Sequence, residues 1–76
     1  MPMEKPEIDP KRIVHVVYTN WKGKTRLRRI YPIRIYWGKT EYHPEEQWLL
    51  EVWDIDKDAP RTYAMKDIRA WFVPEE

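Results

Sequence analysis

TRLRRIYPIRIYW, residues 25–37, decides what kind of sheet this chain builds. Its β-branched and aromatic residues suit a strand, but the alternation does not run through it unbroken. Leu27 and Ile30 stand three apart, which predicts a phase change across Arg28-Arg29. A second is predicted at Pro32, beyond which Ile33, Ile35 and Trp37 share a face. Phase changes inside a strand mark bulges or bends. A long strand bent in this way is how a short sheet curls on itself.

Upstream lie the turn Asn20-Trp21-Lys22-Gly23-Lys24, with Gly23 in the positive-φ position, and the β-branched strand IVHVVY over 13–18. Downstream, 38–46 reads as a loop and 47–55 as the third strand. Period-two alternation directs Trp48, Leu50 and Val52 to the core and Leu49, Glu51 and Trp53 to the opposite face. A turn over 56–60, a short strand over 61–65, a single helical turn at Lys66-Asp67 and a last strand over 68–73 complete the pattern. Ile68, Ala70 and Phe72 are expected on the inner face of that strand. Residues 1–10, with three prolines, read as a flexible or extended arm before a single domain over 11–76. Five short strands without a helix predict an all-β fold, a small five-stranded barrel with a strongly bent second strand.

Composition narrows the function. Seventy-six residues support one small core, and five Trp and five Tyr supply much of its apolar area. There is no Cys, hence no disulfide framework and no thiolate zinc site. No apolar run matches a signal peptide or a membrane span, so a soluble cytoplasmic protein is expected. Serine is also missing and glycine occurs only twice, which removes the usual nucleophiles and any phosphate-cradling loop. Catalysis is not expected, nor is a cofactor. The two histidines, His15 and His43, do not form H-E-x-x-H, and no metal site is expected. Asp54-Ile55-Asp56-Lys57-Asp58 begins like a calcium loop. Ala59 and Met65, however, stand where such a loop needs Gly and Glu, and the stretch reads as an acidic turn.

Charge is the strongest functional signal. Between Lys11 and Lys39 lie nine Lys or Arg and no acid, whereas from Glu41 onward ten acids meet four bases. Such asymmetry points the basic half toward an anionic partner. Arg26, Arg28, Arg29 and Arg34 interleave with Tyr31, Tyr36 and Trp37. That combination suits single-stranded nucleic acid or a nucleotide-like anion, guanidinium groups holding phosphate while aromatic rings stack on bases. The competing reading is that basic strands pair with acidic ones and neutralise within the sheet. Trp53, flanked by acids on the outer face, is either packed under the N-terminal arm or exposed, and is expected at the interface of a homodimer or protein partner.

The order of landmarks resembles the WYL domain. Tyr18 and Gly23 bracket the first hairpin, Arg28-x-Ile30-x-Pro32 fits the family's Arg-x-(Val/Ile)-x-Pro, Trp48-Leu49-Leu50 falls where Trp-Tyr-Leu is expected, and Arg61-x-Tyr63 followed by Ile68 fits the closing element. The resemblance implies an SH3-like (Sm-like) barrel and a ligand-sensing role in bacterial regulators, here as a stand-alone or accessory form of phage or mobile-element type. It adds Arg61 to the candidate ligand residues. Leu49 departs from the motif's Tyr, and Ala64 and Asp67 replace basic residues, leaving Lys66. The expectation is a non-catalytic module for an anionic ligand in a regulatory role. The alternative is a structural or interaction module that self-associates through aromatic and strand-edge surfaces.

Overall fold

A computed structural model describes residues 4–74. After a 3-10 turn over Pro10–Arg12 come β1 (Val14–Thr19), β2 (Thr25–Gly38), β3 (Gln47–Asp54), β4 (Ala59–Ala64), a second 3-10 turn over Met65–Asp67, and β5 (Ile68–Phe72). The first turn starts on Pro10, whose fixed φ suits that position, and Asp9 caps it by accepting a hydrogen bond from the Lys11 amide at 3.0 Å. All five strands form one antiparallel sheet in the order β4-β3-β2-β1-β5.

That sheet is curled but not closed into the expected barrel: among the described residues no ladder joins β4 to β5. The curl shows in one contact. Tyr18 on β1 stacks on Tyr63 on β4 with ring centroids 4.0 Å apart, and the Tyr18 hydroxyl accepts a hydrogen bond from the Ala64 amide at 3.1 Å. In a flat sheet, strands three steps apart lie about 14 Å from one another. The chain passes from one edge strand to the other through the three residues of the second 3-10 turn. Val14, Val16, Tyr18, Ile30, Leu50, Val52 and Tyr63 fill the concave side, with Met65 and Ile68 packed against them.

The bend in β2 is found at only one of its two expected places. A bulge interrupts the β2–β3 register between Pro32 and Arg34, as the missing proline N–H favours. The β1–β2 register is unbroken from Thr25 to Ile30. No phase change exists at Arg28-Arg29; Leu27 simply faces outward, 56% exposed. Gly23 takes φ +83° in the first hairpin, and the Asn20 side chain accepts from the Lys22 and Lys24 amides across it.

The expected side or burial of four residues changes. Trp48 was expected in the core and is 54% exposed, because β4 ends at Ala64 opposite Leu49 and nothing on that strand lies beside Trp48. Leu49, expected outside, is fully buried beside Ala64. On β5 a register shift between Val17 and Tyr18 places Ile68 opposite Tyr18, but Ala70 and Phe72 opposite Val17 and His15, on the outer face.

Trp53 is corrected too. It is 6% exposed and is not a surface available to a partner. Its neighbour on the outer face is Tyr31, and residues of the N-terminal segment cover both. Lys5 Nζ lies 6.0 Å from the Trp53 ring, and the Arg12 guanidinium lies 5.7 Å from Tyr31. Asp58 ties the cover down, accepting from Trp53 Nε1 at 3.0 Å and pairing with Lys5 at 2.7 Å.

Candidate functional site

The sheet's register sorts the arginines. Cross-strand partners point to the same side. Arg28 stands opposite Val16 and Arg61 opposite Val52, both partners being fully buried core residues. The two guanidinium groups therefore rise from the concave side, one from β2 and one from β4. They line one cleft of about 710 Å³ with Tyr18, Tyr63 and Asp54. The hairpin turn adds Trp21 and Lys22, the β2–β3 loop adds Tyr42 and His43, and the β3–β4 turn adds Lys57.

Aromatic surface at the mouth of this cleft is already organised. Trp21 and Tyr42 stack with centroids 5.3 Å apart and 26° between planes, and both are more than half exposed. Lys22 Nζ lies 5.2 Å over the Trp21 ring. Within the cleft Asp54 is 2% exposed, and one carboxylate oxygen accepts the Lys57 amide at 3.0 Å, closing the β3–β4 turn. Burial, with the Asp54 charge nearby, pushes the Tyr63 phenol up to about 12. Burial raises Tyr18 as well, against the Ala64 amide that its hydroxyl accepts. Both phenols are thus neutral donors near pH 7.

The other sequence candidates lie elsewhere. Arg29 faces outward and donates to Asp56 from Nε at 2.9 Å; that hydrogen bond holds the Asp56 carboxyl below its ordinary range. Arg34 pairs with Glu51 on the same outer side, and its guanidinium lies 4.5 Å from the Tyr36 ring. Tyr31 is buried beneath Arg12. Trp37 sits at the loop end of β2, and Arg26 near the opposite end, outside the cleft lining. Of the eight sequence candidates, Arg28 and Arg61 are the two that line this cleft. Among the described residues neither is in an ion pair. Internal neutralisation thus accounts for Arg29 and Arg34 but not for these two.

Sequence reading missed Trp21, Tyr42, Tyr18, Tyr63 and Asp54 as cleft residues. Trp21 carried a signal, an aromatic beside lysines in a tight turn, and Tyr18 and Tyr63 stood in the family pattern without being read as cleft residues. Tyr42 and Asp54 join them only through the three-dimensional convergence of the strands and loops.

The profile of the WYL domain matches residues 8–73. The chain belongs to the WYL domain family. No curated protein and no solved structure matches it. In this WYL domain the Arg-x-Ile-x-Pro segment supplies Arg28 at the cleft and the bulge at Pro32, while Leu49 and Leu50 of the Trp48-Leu49-Leu50 motif are buried and Trp48 is exposed, none of the three lining the cleft. Among the described residues no helix is long and apolar enough to cross a membrane.

Proposed function

We propose that this WYL domain is a non-catalytic, ligand-sensing module for a nucleotide-like anion or the end of a single-stranded nucleic acid. One observation carries the reading. Arg28 and Arg61, neither in an ion pair among the described residues, line one cleft together with the stacked Trp21–Tyr42 pair, Arg61 also donating to the Pro60 carbonyl at 2.7 Å. Phosphate is held by two forked guanidinium groups, and a base extends the aromatic stack. The volume lies within the range of small-molecule and cofactor sites. A long backbone track is less well supported, because Arg29 and Arg34 lie on the outer side and are already paired. Strand order and the 3-10 turn between the edge strands support an SH3-like, Sm-like reading of the curl.

Fluorescence anisotropy of a labelled single-stranded oligonucleotide, titrated at two salt concentrations, tests this. Binding should weaken as salt rises, with a slope of about 0.7 per phosphate contacted. No binding at low salt would sink the anion reading.

A specific observation favours self-association as a second reading. Leu27, Ala70 and Phe72 form an exposed apolar stripe with Val17 across β2, β1 and β5, and β5 has one unpaired edge. Sedimentation velocity should then show a concentration-dependent dimer that Leu27→Lys abolishes. A monomer at every concentration rules this reading out.

A further inference from the structure

The concave face of the sheet runs past its buried end into an exposed aromatic corner. Trp37 and Trp48 are cross-strand partners at the loop end of β2 and β3, 55% and 54% exposed. Their rings meet edge to face, with centroids 5.4 Å apart and 78° between planes. Two indole faces therefore stand almost at right angles. Ile35, two residues back on the same side, is 53% exposed and extends the corner with an aliphatic floor. The Glu46 carboxylate accepts from Trp37 Nε1 at 3.4 Å, on a loop whose Glu41 and Glu45 are exposed as well.

Each component attracts the same kind of guest. The faces of indole rings are electron-rich and hold cations. A carboxylate at their edge adds charge and a hydrogen-bond acceptor, and an aliphatic floor covers the methylene stem of a long cationic side chain. Elsewhere this fold puts cations over its rings: Lys5 on Trp53, Arg12 on Tyr31, Lys22 on Trp21 and Arg34 on Tyr36. Among the described residues none lies over Trp37 or Trp48.

We propose that this corner binds an arginine side chain presented by a partner protein. A guanidinium is planar, so it stacks on one indole while its edge donates to Glu46, which an ammonium does less well. Charge sets the partner's character. The β2–β3 loop is acidic where the cleft is basic, so the corner takes a basic segment of another polypeptide and not the cleft's anion. Different residues and the opposite charge make it independent of the cleft reading. The competing account is that the two tryptophans only pin the hairpin end.

Indole Nε1–H signals of the ¹⁵N-labelled full chain separate these accounts. The probes are a blocked Ala-Ala-Arg-Ala-Ala peptide, its lysine counterpart, and its citrulline counterpart, which keeps the shape without the charge. The arginine peptide should move the Trp37 and Trp48 signals and bind at least about fivefold more tightly than the citrulline peptide. Glu46→Gln should weaken arginine binding about threefold or more while leaving the other indole signals in place. Equal responses to arginine and citrulline, no shift at millimolar arginine peptide, or unchanged affinity in Glu46→Gln would overturn the proposal. A lysine peptide binding as tightly as the arginine one would overturn the guanidinium assignment.

Discussion

Trp53→Ala should cost about 3–5 kcal/mol of stability, the usual range for truncating a large buried aromatic. For a chain of this length total stability is roughly 4–11 kcal/mol, so the variant should be largely unfolded or melt at a much lower urea concentration. The size of the effect follows from where the ring lies. It is 6% exposed against Tyr31, with Lys5 over it and Asp58 accepting its Nε1–H. Its loss also strips the N-terminal segment of the surface on which Lys5 rests. Trp53→Phe keeps most of the apolar contact and gives up one hydrogen bond to the exposed Asp58, so it should lose much less than Trp53→Ala. Urea melts of the two variants check this order. An exposed interface tryptophan would behave differently, with truncation moving stability by no more than about 0.5 kcal/mol. A native-like melt for Trp53→Ala would therefore contradict the covered arrangement.

Removing both cleft arginines should nearly abolish anion binding. A hydrogen bond to a charged group contributes about 1.5–3 kcal/mol, so Arg28→Ala with Arg61→Ala should weaken a single-stranded oligonucleotide at least about 100-fold. The salt dependence should flatten as well, since fewer counterions are displaced. The pair Arg29→Ala and Arg34→Ala is the informative control. Those side chains are exposed and already engaged with Asp56 and Glu51. Their removal should leave the urea melt close to that of the parent chain, as exposed ion pairs contribute little, and leave binding within about twofold. The reverse pattern, with binding lost on the outer face and kept in the cleft variant, would move the site to the other side of the sheet.

The strands were readable because β-branched runs, Gly23 and Pro32 are local signals with local causes. The bulge beside Pro32 needs only a residue without an amide hydrogen. Sidedness was less readable, because it depends on where neighbouring strands stop. Trp48 has the same alternation as Leu50, but β4 reaches Leu50 and not Trp48. The bend expected at Arg28-Arg29 is absent because Leu27 is an outward-facing leucine in an unbroken strand, so its three-residue spacing from Ile30 marks no phase change. At the site, the sequence showed a basic strand but could not divide it. Arg28 and Arg29 are neighbours with opposite fates, one in the cleft and one bonded to Asp56, and the register with β1 decides which is which. Arg61 entered through the family motif alone. Its sharing a cleft with Arg28 requires the sheet to curl, as the Tyr18–Tyr63 contact shows it does.

That contact links two properties that are usually separate. Tyr18 lines the cleft, and its hydroxyl is bonded to the amide of Ala64 at the far edge of the sheet. A guest that displaces or presses on this ring therefore works against the curvature of the whole sheet. If a guest's binding altered that curvature, then by thermodynamic reciprocity a change in curvature would alter the guest's affinity by the same factor. Occupancy would then be read out as mechanical posture, carried by the backbone from the cleft to the two edge strands.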